Sequence, residues 1–140
     1  MNAECPHPIV LVDDEKSYTD LLSALLVEGL DCRVHAFSRP AEALQVLAQL
    51  HPGVVVTDYQ MPEINGIEFI RLAAPLVPET AFVMISGQDL STEKAAMARL
   101  APLKSYLPKP FGWRKLADEI IRVWPAHRPA PRLRSDATSL

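Results

Sequence analysis

The stretch "GVVVTDYQMP" (Gly53–Pro62) decides the fold. Pro52-Gly53 breaks the chain in front of it, three valines follow without a polar interruption, and the run ends on a lone carboxylate, Asp58. A turn closing on Pro62 comes next. A short, continuous apolar run bounded by breakers reads as a strand covered on both faces, as the strands of a parallel sheet must be. Burial gives such a strand no reason to end in a charge, so Asp58 needs a chemical explanation.

Working outward, "PIVLVD" (Pro8–Asp13) and "TAFVMIS" (Thr80–Ser86) are runs of the same kind. "CRVHAF" (Cys32–Phe37) alternates and reads as a strand near an edge, and "SYLPK" (Ser105–Lys109) as a brief fifth strand. Helical spacing fills the gaps. Residues 15–28 place Leu21, Leu22, Leu25 and Leu26 on one face, with Asp14 as N-cap and Gly29 as the stop. Ser38 caps the next helix, which takes Pro40 in its first turn and carries Ala43, Leu44, Leu47 and Leu50. Asn65-Gly66 opens a third, with Ile67, Ile70 and Leu72. Residues 91–100 form a shorter helix, and 112–124 a last one facing the core with Leu116, Ile120, Val123 and Trp124. Five strands alternating with five helices predict a doubly wound parallel α/β sheet. "AHRPAPRLRSDATSL" (residues 126–140) has no apolar periodicity and is expected to be a disordered tail or linker after a domain of residues 1–125.

Composition narrows the function classes. The chain has 140 residues, 49% of them hydrophobic and 22% charged, which suits one ordinary globular domain. A formal net charge of −3 gives no electrostatic ground for direct nucleic-acid binding. No apolar run approaches the ~20 residues that span a membrane. The first residues lack a basic segment followed by an apolar one, so the default location is the cytoplasm. Cys5 and Cys32 belong to no CxxC pair and read as unpaired thiols in a reducing compartment. His7, His35, His51 and His127 are scattered and form no ligand spacing.

In an open parallel sheet, ligands bind beyond the carboxyl ends of the strands. Those ends carry Asp13-Asp14, Asp58, Ser86 and Lys109-Pro110. Three carboxylates at one rim repel unless a cation sits among them, and an oxygen-rich site with few protein ligands suits Mg²⁺. Lys109 and Ser86 complete a setting for a tetrahedral anion. A carboxylate such as Asp58 can serve as a nucleophile toward phosphorus.

"VLVDDE", "VVVTDYQMPEINGIEF", "VMISG" and "YLPKPF", in this order and spacing, closely resemble the receiver domain of two-component response regulators. The resemblance covers roughly Ile9 to Trp124. It implies a flavodoxin-like (βα)5 fold with strand order 2-1-3-4-5. It implies that Asp58 is the phosphoacceptor, and that Asp13, Asp14, Asp58 and the main-chain carbonyl of Gln60 hold Mg²⁺. Ser86 and Lys109 are then the groups that meet the phosphoryl group, and Ser86 and Tyr106 the switch pair. The Lys109-Pro110 peptide is expected to be cis. Ala101-Pro102-Leu103 departs from the glycine-alanine turn common before strand 5, and Gln60 and Gln88 occupy variable positions bordering the site.

The implied function is a phosphorylation-activated switch. Its donor partner is a histidine kinase or a histidine phosphotransfer protein. Its downstream protein partner binds the surface of helix 4, strand 5 and helix 5, a surface also compatible with a homodimer. Such a domain catalyses only its own phosphorylation and dephosphorylation, and is not an enzyme on other substrates. Two other readings stand beside it. One is a receiver-like scaffold that binds partners without being phosphorylated. The other is a small-molecule phosphatase, disfavoured because Gln60 stands where such enzymes commonly place a second acid.

Overall fold

In the computed structural model, which describes residues 5–134, five strands pair in parallel in the order β2-β1-β3-β4-β5. They are β1 (Ile9–Val12), β2 (Val34–Phe37), β3 (Val54–Asp58), β4 (Ala81–Ser86) and β5 (Leu103–Pro108). The helices between them are α1 (Lys16–Leu30), α2 (Pro40–Leu50), α3 (Gly66–Ala73), α4 (Lys94–Ala98) and α5 (Trp113–Val123). Short 3₁₀ turns at Ala74–Leu76 and Ser91–Glu93 follow α3 and precede α4. The expected fold and strand order are therefore those observed.

The strands explain the runs. Every residue of β1, β3 and β4 is buried, because helices cover both sheet faces. Alternate residues feed two cores. Ile9, Leu11, Val54, Val56, Val83 and Ile85 meet α1 and α5, while Val10, Val12, Val55, Phe82 and Met84 meet α2 and α3. No helix among the described residues is long and apolar enough to cross a membrane.

Several local expectations are corrected. Glu15, without a side-chain cap, precedes α1, and Asp14 does not cap it. The helix runs through Gly29 and stops at Asp31, which takes a left-handed backbone at φ 51°. Gly29 is small because the Trp113 ring lies where a Cβ would stand. The buried stripe of α1 is Leu22, Leu26 and Leu30, and Leu21 is 62% exposed. Leu72 is also exposed. Arg39, not Ser38, occupies the N-cap of α2.

One expected cap is present in full. Asn65 accepts from the Glu68 N–H while Glu68 accepts from the Asn65 N–H, a capping box that fixes the start of α3. Gly66 then folds back onto the strand, its N–H donating to the Tyr59 carbonyl at 2.7 Å. A Cβ there would stand 2.7 Å from the Asp58 carbonyl oxygen and 3.0 Å from the Tyr59 Cα, both backbone atoms with little room to yield. Gly66→Ala is expected to cost about 1–3 kcal/mol, as overpacking does, read as a lower urea midpoint at an unchanged slope.

The segment expected to be a disordered tail or linker behaves differently over residues 126–134. It has no helix or strand, yet it runs back across the N-terminal ends of the strands. Arg128 donates to the Pro52 carbonyl and pairs with Glu79 at 3.0 Å. Pro131 is buried, Leu133 packs on the core, and the Arg134 N–H donates to the Gly29 carbonyl. Residues 135–140 of that expectation lie outside the described residues.

Candidate functional site

Parallel pairing brings the carboxyl ends of β1, β3, β4 and β5 to one rim. The register pairs Val12 with Thr57 and Asp58 with Ile85, so Asp13 and Asp58 leave neighbouring strands at almost the same height. One carboxylate oxygen from each of Asp13, Asp14 and Asp58 lies within 4.8 Å of the other two. Asp13 and Asp58 are buried and Asp14 is exposed, so the cluster opens outward through Asp14.

Burial and the repulsion of Asp13 push the Asp58 carboxyl up to about 6, with Asp14 adding to the rise and Lys109 opposing it. Lys109 reaches in from the end of β5, its Nζ 3.1 Å from Asp13 Oδ2 and 3.6 Å from Asp58 Oδ1. Burial works against that ammonium, but the Asp13 hydrogen bond and the charges of Asp13 and Asp58 outweigh it, and the pKa rises. One cation thus serves two buried anions, with a third beside them. Such a set has uncompensated negative charge and hard oxygen donors, which fits a divalent cation of the Mg²⁺ kind held by Asp13, Asp14 and Asp58.

Across the rim, Ser86 is 1% exposed. Its hydroxyl donates to the Gln88 carbonyl and accepts from the Gln88 N–H. The Tyr106 hydroxyl, from β5, donates to that same Gln88 carbonyl at 3.4 Å. Ser86 and Tyr106 are therefore joined through one backbone group of the loop after β4. The Gln88 side chain donates to Gln60 Oε1 at 2.7 Å, bridging the loop after β4 to the loop after β3. Lys109-Pro110 is cis, as expected.

Every residue singled out at a strand end reaches the rim: Asp13, Asp14, Asp58, Ser86 and Lys109. Tyr106 stands beside the Ser86 loop, and Gln60 borders Asp58 in sequence. Tyr18 was not anticipated. Its ring lies under the Lys109 ammonium at 4.7 Å, where a cation–π contact holds the lysine over the acids. An aromatic in the first turn of the helix after an acidic pair was the available signal. Thr19 was also missed. Its hydroxyl is shared between the Asp13 and Glu15 carbonyls and fixes the turn that presents Asp13.

Comparison with known proteins gives one consistent picture. The family described as the response regulator receiver domain matches residues 9–121. An uncharacterized response regulatory protein of Vibrio cholerae is 34% identical over 121 residues, covering 85% of this chain and 49% of that protein. A protein-glutamate methylesterase/protein-glutamine glutaminase of Burkholderia thailandensis is 35% identical over 94 residues, covering 66% of this chain and 26% of that protein. The chain thus spans about a quarter to a half of the length of these curated relatives. Among solved structures, the beryllofluoride-activated NtrC4 receiver domain dimer superposes with a TM-score of 0.74 at 27% identity, covering 84% of this chain and 95% of that one.

Proposed function

The chain belongs to the response regulator receiver domain family, and from that premise we propose that it is a phosphorylation-activated switch whose acceptor is Asp58. The observation that carries this reading is the rim itself, where three carboxylates lie within 4.8 Å and Lys109 bridges the two buried ones. The donor is the phosphohistidine of a histidine kinase or a histidine phosphotransfer protein, met in the cytoplasm.

The Asp58 carboxylate attacks phosphorus. The new P–O bond forms as the P–N bond to imidazole breaks, and the imidazole leaves to take up a proton. Mg²⁺ bound by Asp13, Asp14, Asp58 and the Gln60 main-chain carbonyl would neutralise phosphoryl charge. The residues of the chain do the rest. β3 holds the nucleophile rigid. Lys109, already beside Asp58, meets an anionic oxygen of the group being transferred. Asp13 and Tyr18 keep Lys109 in place.

The phosphoryl group brings a charge of about −1.5 to −2, which competes for the Ser86 hydroxyl. Ser86 can donate to only one acceptor, so a bond to the phosphoryl oxygen ends its bond to the Gln88 carbonyl. That carbonyl is also the Tyr106 partner, so the loop and the tyrosine move together. Tyr106 lies on β5, so the change reaches the face formed by α4, β5 and α5, where a downstream protein partner, or a second copy, binds. The domain does not act as an enzyme on other substrates.

Intact-protein mass after incubation with acetyl phosphate tests the reading. With Mg²⁺, one phosphoryl group per chain is expected, and EDTA should abolish it. Because rapid hydrolysis hides an adduct, beryllofluoride binding is measured in parallel. Absence of both would reject phosphorylation and leave the non-phosphorylated scaffold.

A further inference from the structure

Cys5 and Cys32, 27 residues apart in sequence, meet with their sulfurs 2.7 Å from one another inside the core between the sheet, α1 and α5. Neither was expected to have a partner. Cys5 is 3% exposed and Cys32 is fully buried. Both thiols also approach one acceptor, the His7 carbonyl, at 3.6 Å. We propose that Cys5 and Cys32 are an oxidation site that closes to an intramolecular disulfide, tying the segment before β1 to the residue pair that leads into β2.

The surroundings support a pair held for this purpose. The two residues that follow Cys5 are both fixed, Pro6 by the Arg33 guanidinium on its carbonyl at 3.0 Å and His7 by its ring nitrogen at 2.8 Å from the His51 carbonyl. Gly53 N–H donates to the Pro8 carbonyl, which anchors the same segment to β3. Folding therefore delivers Cys5 to Cys32 and keeps it there. The contact between the two sulfurs lowers the pKa of Cys5, while the same contact and burial push the Cys32 thiol up. Cys5, on the segment before β1, retains 3% exposure while Cys32 is fully buried, so Cys5 is the sulfur nearer the solvent and the one that attacks.

With glutathione disulfide as oxidant, the Cys5 thiolate attacks one sulfur and expels a glutathione thiolate. Cys32 then gives up its proton, attacks the Cys5 sulfur of the mixed disulfide, and expels the second. Two protein thiols become one S–S bond, and one glutathione disulfide becomes two glutathione thiols. The pair sits at the N-terminal ends of the strands, opposite Asp58, so closing it leaves the acidic rim in place. A reducing compartment holds the pair as thiols, and an oxidising shift closes it.

The test equilibrates the full chain with mixtures of reduced and oxidised glutathione, in buffer and in concentrated urea, with acid quenching and mass measurement. The chain contains no other cysteine, so the products are unambiguous. In buffer the expected product is a monomer lighter by two hydrogens, with Cys5 and Cys32 in one cross-linked peptide. A cross-link that closes a loop of this length in the unfolded chain is expected to be favoured by folding about 100-fold or more, so the disulfide should form at correspondingly lower oxidant in buffer than in urea. The oxidised protein should melt about 10 °C higher, and Cys5→Ser should remove both effects. Since equilibrium can be reached by refolding in each mixture, burial cannot hide the outcome. Glutathione adducts on separate cysteines, intermolecular dimers, or a disulfide no more favoured in buffer than in urea would each overturn the proposal.

Discussion

Asp58→Asn is expected to make the metal-free protein more stable at pH 7 by about 2–3 kcal/mol, while reducing phosphoryl labelling to background. The two effects share one cause. Burial and Asp13 raise the Asp58 carboxyl from its ordinary 3.8 to about 6, so the folded protein binds this proton more tightly than the unfolded chain does. The stability that Asp58 contributes is therefore complete below about pH 3.8 and is lost as the pH rises through about 6. At pH 7 the folded state carries the ionised acid at a cost of roughly 3 kcal/mol, since each pKa unit is worth about 1.4. Asparagine has the shape of the protonated acid without the charge. The gain should thus be near zero at pH 4 and full above pH 7, measured as the difference in urea midpoints across that range. Mg²⁺ should narrow the gap, because it stabilises the wild-type triad more than a site that has lost one ligand. A gain independent of pH would mean that repulsion at the rim is not its source.

The same rim shows why so much of the site could be read from sequence. Each of Asp13, Asp58, Ser86 and Lys109 ends or follows a strand, and a parallel sheet gathers such ends without further information. β1, β3 and β4 were legible because strands covered on both faces have few polar residues, and a run of valines before an acid has few other meanings. Helix faces were harder. Leu21, Leu22, Leu25 and Leu26 form two adjacent pairs, and spacing alone does not say which leucine of each pair turns inward. The core contacts choose Leu22 and Leu26. Gly29 looked like a helix stop because glycine commonly is one, but its role is to admit the Trp113 ring, a tertiary reason invisible locally. Residues 126–134 showed no periodicity because they dock through backbone groups, Arg128 and isolated apolar residues. The meeting of Cys5 with Cys32 is a product of the assembled fold, with nothing in local spacing to announce it, whereas Tyr18 left a local sign, its place just after the acidic pair, that did not name Lys109 as its partner.

Lys109→Met should have the opposite effect on stability and a similar effect on chemistry. Lys109 is the one side-chain cation placed against both Asp13 and Asp58 among the described residues, 3.1 Å from the first and 3.6 Å from the second. Methionine keeps most of the length of the side chain but removes the ammonium over Tyr18 and leaves two buried carboxylates without their cation. Removing one partner of such an arrangement costs about 3–5 kcal/mol when the charge left behind stays ionised. The loss should shrink toward pH 5, where Asp58 takes up a proton, its pKa then raised by burial and Asp13 without the opposing lysine. Mg²⁺ should stabilise this variant more than it stabilises wild type, because a divalent cation replaces the missing charge. Phosphoryl transfer should not recover with it. In the proposed mechanism the lysine meets an oxygen that carries charge as transfer proceeds, and loss of such a donor slows reactions by about 100- to 1,000-fold. Lys109→Arg separates charge from position: it should restore much of the stability while leaving transfer slow, because a planar guanidinium does not place its donors where a compact ammonium sits. Chemical unfolding with and without Mg²⁺, set beside the rate of labelling by acetyl phosphate, reads both effects in one series. If saturating Mg²⁺ brought the methionine variant back to the wild-type labelling rate, Lys109 would be a counter-ion of the folded state only, and the transferring phosphoryl group would have to be met by other residues of the rim.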